Sequence, residues 1–338
     1  MQRRTWISEW ALRRRLDRDK LRIPKGQRQK MKKKDMVAVG AEFKDMAGVY
    51  AAMLSPFGKD GKLNEGAVEE LVEYGLASGL KGFYLTGGTG EFTLMSVDER
   101  KKLYRRAAKA AKGRCKLIAH VGATRTDDAA ELARYAEKVG CDWVSSVAPI
   151  YYGQSAAAQY AHYKAISEAS GLPLMIYCFG NTLVPERDLK LFDLKNVKGM
   201  KYTGSDYYAV QSMRRKIDKE TFFVSGRDEM LGCALALGDT FAGGIGTCYN
   251  MIPKHFVGIY EASVRGDGAT VVRLQKEVNA FVDLLLSCPN WSCWKAFMLA
   301  RGIDAGCARM PCGPVLSEKE RKAWAKKFSD LLKTFTLK

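Results

Sequence analysis

From about Val49 the chain alternates short runs of β-branched and aromatic residues with longer stretches whose apolar residues recur every third or fourth position. Eight runs predict strands: Val49–Leu54, Gly82–Leu85, Lys116–Val121, Trp143–Ala148, Leu174–Tyr177, Val197–Lys201, Phe222–Val224 and Phe241–Ile245. Between them, Gly66–Ala77, Val97–Ala111, Asp127–Val139, Ala156–Ala169 and Tyr207–Ile217 have the spacing of helices that bury one face. Regular succession of strand and helix predicts an α/β fold with a parallel sheet, and eight units predict a closed (β/α)8 barrel. Two helix starts carry their own marks. Asn64 is placed to cap the helix that follows, and Ser96 with Glu99 forms a capping box.

Beyond the eighth unit, Ala269–Leu286, Trp291–Arg301 and Ser317–Thr334 read as three further helices, too few for an independent core but suited to the side of a barrel. The predicted organisation is a leader over residues 1–46 and one barrel domain over residues 47–338, with a helical appendage from about residue 269. Eight-fold barrels usually take about 250 residues, so the 338 present leave room for both additions.

Charge changes the picture only at the start of the chain. The net charge is +18, and residues 1–35 hold 14 Lys and Arg against 4 Asp and Glu, so +10 of the excess lies there. That leader, with Arg13-Arg14-Arg15 and Lys32-Lys33-Lys34, has no sustained apolar period and reads as a disordered tail. It is compatible with an arm for RNA or phospholipid or with a transit peptide, but the simplest reading places the true start at Met36. Nucleic acid is therefore not the expected partner of the barrel.

No stretch approaches the roughly 18 apolar residues of a membrane helix, and the N-terminus lacks the apolar core of a secretory signal, so a cytoplasmic protein is expected. Nine scattered cysteines without a C-x-x-C pair read as reduced thiols. His120, His162 and His255 lack metal-ligand spacing, so no metal is expected.

In a (β/α)8 barrel the reactive groups gather where strands end, because the loops converge there. Four such places carry chemistry: Gly87-Gly88-Thr89-Gly90-Glu91 after strand two, Tyr177 ending strand five, Lys201 ending strand six, and Gly226-Arg227-Asp228-Glu229 after strand seven. A lysine pointing into apolar walls is costly as an ammonium, and desolvation lowers its pKa, giving a nucleophile able to condense with a ketone. Snorkelling to the mouth or pairing with an acid is the alternative. The glycine-rich turn offers unhindered backbone N–H groups to a carboxylate, with Thr89 adding a hydroxyl, although such turns also follow strands for steric reasons alone. Tyr177 is either a core aromatic or a proton relay.

These motifs, with Leu172-Pro173-Leu174-Met175-Ile176-Tyr177-Cys178, Gly199-Met200-Lys201-Tyr202-Thr203 and Gly243-Gly244-Ile245-Gly246-Thr247-Cys248-Tyr249-Asn250, resemble the ordered motifs of the N-acetylneuraminate lyase and dihydrodipicolinate synthase superfamily over about Gly48 to Leu332. The resemblance implies that Lys201 forms the Schiff base, Tyr177 is the catalytic tyrosine, and Gly88 and Thr89 hold the carboxylate of a 2-oxo acid. It implies that Thr203, Gly226, Asp228, Glu229 and Thr247 grip the polyhydroxy chain of a sugar acid. It also implies that Tyr151 reaches into a neighbouring subunit of a homotetramer, a dimer of dimers, and that no cofactor is needed.

The synthase branch carries an arginine in the loop after the tyrosine. Here Cys178-Phe179-Gly180-Asn181-Thr182-Leu183 has none before Arg187, which favours the lyase branch. Two departures separate the chain from a strict sialate lyase: Gly88 stands in place of a serine, and the Tyr177–Lys201 segment is shorter than usual. Other readings in keeping with the residues are a dihydrodipicolinate synthase, another 2-oxo-acid aldolase or dehydratase, and a catalytically weakened sugar-acid-binding paralogue.

Overall fold

The eight strands close on themselves in sequence order. The computed structural model describes residues 41–180 and 182–337. In it β1 (Gly48–Ala52), β2 (Gly82–Leu85), β3 (Lys116–His120), β4 (Trp143–Val147), β5 (Leu174–Phe179), β6 (Val197–Thr203), β7 (Phe222–Ser225) and β8 (Gly243–Gly246) each pair in parallel with the next, and β1 pairs with β8. The crossover helices are α1 (Glu65–Ala77), α2 (Val97–Ala111), α3 (Thr126–Lys138), α4 (Ala156–Ala169), α5 (Pro185–Leu189), α6 (Tyr207–Arg214), α7 (Leu231–Leu235) and α8 (Pro253–Arg265). The appendage is α9 (Gly268–Leu286), α10 (Trp291–Phe297) and α11 (Glu318–Leu332).

Both expected caps form. Asn64 accepts from the Ala67 N–H, and Ser96 and Glu99 satisfy each other's backbone N–H groups, supplying the donors that a helix start leaves without partners. The five helices anticipated between strands lie within a few residues of their predicted ends. Helices α5 and α7 are five residues each, too short for a 3.6-residue period to register, and α8 begins on Pro253, whose missing N–H suits a first turn.

Two apolar layers follow from strand alternation. One fills the barrel: Tyr50, Ala52, Tyr84, Ile118, Trp143, Met175, Tyr177, Phe222, Val224 and Ile245. The other lies between strands and helices, with Val49, Ala51, Phe83, Leu85, Leu117 and Val144 among its members. The barrel floor is closed by a 3-10 turn, Ala41–Met46. Phe43 meets Trp143 edge-on at 5.3 Å between ring centroids, and Tyr50 donates a hydrogen bond to the Met46 carbonyl. These six residues fall in the stretch read as leader. The barrel unit therefore starts before residue 47, because burying Phe43 and Met46 shields the lumen from water. Residues 1–40, including the basic runs and Met36, lie outside the described residues.

Strands β5 and β6 run two residues further than predicted. Cys178 pairs with Tyr202 and Phe179 with Thr203, and the Gly180 N–H continues the ladder to the Thr203 carbonyl. Tyr177 and Lys201 thus sit inside the mouth instead of at its rim. Among the described residues no helix is long and apolar enough to cross a membrane. All nine cysteines are free thiols.

Candidate active site

Lys201 and Tyr177 stand opposite each other in register on neighbouring strands, so both side chains leave the sheet on the lumen face. Lys201 is 5% exposed. Its Nζ lies 3.8 Å from the centroid of the Tyr177 ring and 5.1 Å from that of Tyr84. The neighbouring cations are paired, Lys198 with Glu42 and Arg227 with Glu229, whereas Lys201 has no ion-pair partner among the described residues. An amine walled by two aromatic faces and held in no ion pair is available to an incoming carbonyl carbon. Burial raises the Tyr84 phenol well above its ordinary pKa, and its hydroxyl donates to Ser145 Oγ at 3.0 Å. Tyr84 is thereby a neutral floor beneath the amine.

The Gly87–Glu91 turn follows directly from that floor. A Cβ on Gly87 would stand 2.5 Å from the Tyr84 ring, so only glycine lets the turn fold down on it. The turn is closed by the Glu91 N–H to the Gly88 carbonyl at 2.8 Å, and Ser55 Oγ holds the Gly90 carbonyl at 2.7 Å from outside. Thr89 and Thr247 join their hydroxyls at 2.7 Å, which binds the turn after β2 to the loop after β8. Both residues are half-buried.

Thr203 and Gly226 continue the pocket from β6 and β7. A Cβ at Gly226 would meet Thr203 Oγ1 at 1.8 Å and Lys201 Cε at 3.3 Å, so the glycine makes the space that both side chains use. Thr203 Oγ1 is buried without a partner, as is Asp228 Oδ1, while Asp228 Oδ2 accepts from the Cys248 N–H at 2.7 Å. Burial raises the Asp228 carboxyl to about 6, against the stabilising pull of the Cys248 amide. Two buried oxygens without partners in one region are costly unless something polar completes them. Glu229 is half-buried and pairs with Arg227 at 2.9 Å.

Tyr151 is not brought into this cluster. It is 90% exposed in the loop after β4, has φ +86°, and packs edge-on to Tyr152 at 4.8 Å between ring centroids.

Two residues at the site escaped the reading of the sequence. His120, weighed there only as a metal ligand, is fully buried at the end of β3. Its Nδ1 meets the Thr86 carbonyl at 3.0 Å and its Nε2 accepts from the Val147 N–H at 3.3 Å, which fixes the proton on Nδ1. Burial, aided by the Arg100 charge, holds its pKa well below the ordinary value, so it is a neutral strut edge-on to Tyr177. Phe179 is exposed at the mouth, 6.0 Å from the Tyr177 ring centroid. It shares a face with Tyr177 by strand alternation, a cue available once β5 is extended by two residues.

A closed parallel barrel with a buried lysine in no ion pair, facing a tyrosine at the carboxyl ends of its strands, defines the class of (β/α)8 Schiff-base lyases. The chain belongs to the dihydrodipicolinate synthetase family, whose pattern matches residues 45–330. The N-acetylneuraminate lyase of Rhizobium meliloti is 34% identical over 271 residues, 79% of this chain and 89% of that protein. That of Escherichia coli is 34% identical over 277 residues, 80% of this chain and 92% of that protein. The crystal structure of N-acetylneuraminate lyase from Mycoplasma synoviae superposes with a TM-score of 0.79 at 33% identity, covering 86% of this chain and 99% of that one.

Proposed function

We propose that the protein is a class I aldolase that cleaves N-acetylneuraminate, or a related 2-oxo-3-deoxy sugar acid, to pyruvate and an aldehyde sugar such as N-acetylmannosamine. The observation that carries this reading is Lys201, buried at the barrel mouth against the Tyr177 ring with no acid paired to it. The Lys201 amine adds to the substrate ketone and expels water, leaving an iminium. Tyr177 takes the proton of the C4 hydroxyl as it passes its own phenolic proton to the substrate carboxylate nearby, the C3–C4 bond breaks, and its electron pair moves toward the iminium nitrogen as the aldehyde leaves. The resulting enamine is protonated at C3, and water releases pyruvate and restores the amine. The iminium is the electron sink, so the step calls for no cofactor.

In this reading the N–H groups around Gly88 and the Thr89 hydroxyl receive the substrate carboxylate. Thr203, Asp228, Glu229 and Thr247 receive hydroxyls of the sugar chain, for which the unpartnered oxygens of Thr203 and Asp228 are suited, and Gly226 leaves the space. Synthase chemistry is less well supported. Arg187, the first arginine after Tyr177, is engaged by the buried Asp188 and by the Thr182 carbonyl, which occupies the guanidinium a second substrate carboxylate would need. The exposed Tyr151 with its left-handed backbone fits a residue presented to a second subunit, and a cytoplasmic homotetramer is the assembly proposed.

The test is borohydride reduction in the presence of pyruvate, followed by peptide mapping, with a panel of sugar acids assayed for cleavage. A permanent mass increase on Lys201, absent from Lys201→Ala, is expected, together with loss of cleavage in that variant and a native circular dichroism spectrum. Unmodified Lys201, or undiminished cleavage by the variant, overturns the proposal.

A further inference from the structure

The C-terminal appendage reaches the underside of the Gly87–Glu91 turn through one buried cation. Lys295 on α10 has a side chain 1% exposed, and that of Glu91 is fully buried. The Lys295 Nζ forms an ion pair with Glu91 Oε1 at 2.5 Å and donates hydrogen bonds to the carbonyls of Ser55 at 2.7 Å and Cys307 at 2.9 Å. Glu91 Oε2 accepts from the Arg309 N–H at 2.8 Å, so both of its oxygens are held by the appendage. Glu91 also has φ +56°, a left-handed conformation that few non-glycine residues adopt.

A buried ion pair is a poor source of stability, since desolvation offsets most of its attraction and an apolar pair of the same shape often does as well. What this pair fixes is geometry. It holds the last residue of a turn whose first glycine rests on Tyr84 and whose threonine is bonded to Thr247.

We propose that Lys295 is a positioning residue that sets, through Glu91, the shape of the turn receiving the carboxylate of the 2-oxo acid. This rests on the reading of Gly88 and Thr89 as the carboxylate site. The appendage is then part of the substrate-recognition machinery as well as of the fold.

The experiment compares borohydride trapping at Lys201 by subsaturating pyruvate and by hydroxyacetone, a ketone without a carboxylate. It uses the wild type, Lys295→Met, and the double variant Lys295→Met/Glu91→Gln, with melting temperatures measured alongside. Lys295→Met is expected to slow pyruvate trapping about 10- to 100-fold, to leave hydroxyacetone trapping within about twofold, and to melt earlier because Glu91 is left unpaired. The double variant removes both charges. It is expected to regain part of the lost melting temperature without regaining pyruvate trapping, and it supplies the answer if the single variant does not fold. Equal slowing with both ketones, recovery of pyruvate trapping together with stability, or no slowing at all overturns the positioning role. A wild type trapped by neither ketone overturns the aldolase reading itself.

Discussion

The Lys201 nitrogen lies over the ring of Tyr177, 3.8 Å from its centroid, and the two residues are direct partners in the β5–β6 ladder. The ring face shields the amine and stabilises the cationic iminium that forms from it, whatever the phenol oxygen does. Ring and oxygen therefore have separable roles. Tyr177→Phe keeps the first and removes the second. Pyruvate trapping on Lys201 is expected to persist, while kcat for sugar-acid cleavage falls by about 10²- to 10⁴-fold. Equal loss of trapping and cleavage would assign the oxygen to imine formation, and full retention of cleavage would remove Tyr177 as the base.

Gly226 is a packing requirement of the site. A methyl group there would overlap Thr203 Oγ1 at 1.8 Å and press on Lys201 Cε. Gly226→Ala is expected to cost about 1–3 kcal/mol of stability and to depress kcat/KM by more than that loss of folded protein explains. Chemical denaturation and steady-state kinetics on the same preparation separate the two effects.

Gly88 presents the opposite case. No atom lies within 4 Å of a Cβ built there. Gly88→Ser is expected to leave stability within about 0.5 kcal/mol and to lower KM for the 2-oxo acid by adding a hydroxyl donor at the carboxylate. An unchanged KM would place the substrate carboxylate elsewhere.

Asp228 links stability to pH. Its carboxyl ionises at about 6 in the folded chain against an ordinary 3.8, so between those values the folded protein holds a proton that the unfolded chain has released. Stability therefore falls as pH rises through that window. The penalty is absent below pH 3.8 and complete above 6, at about 3 kcal/mol. Asp228→Asn is expected to unfold at higher denaturant than the wild type at pH 7.5 and at about the same concentration near pH 4. A difference that does not change with pH would show that Asp228 is not buried as a charge.

Strand and helix alternation, the helix caps and the polar residues at strand ends all follow from the order of residues, because burying one face of an element imposes a period that neighbours along the chain must keep. That is why the barrel, and the position of Lys201, Tyr177 and the glycine-rich turn near strand ends, are legible in the sequence. Closure decided the rest. It carried Lys201 two residues inside the mouth, since β5 and β6 keep pairing to Phe179 and Thr203. It turned Tyr151 outward, made His120 a neutral strut between Thr86 and Val147, and joined Glu91 to a lysine about 200 residues later. Contacts between distant residues depend on how the layers stack, and periodicity reports which face is buried without saying what lies against it.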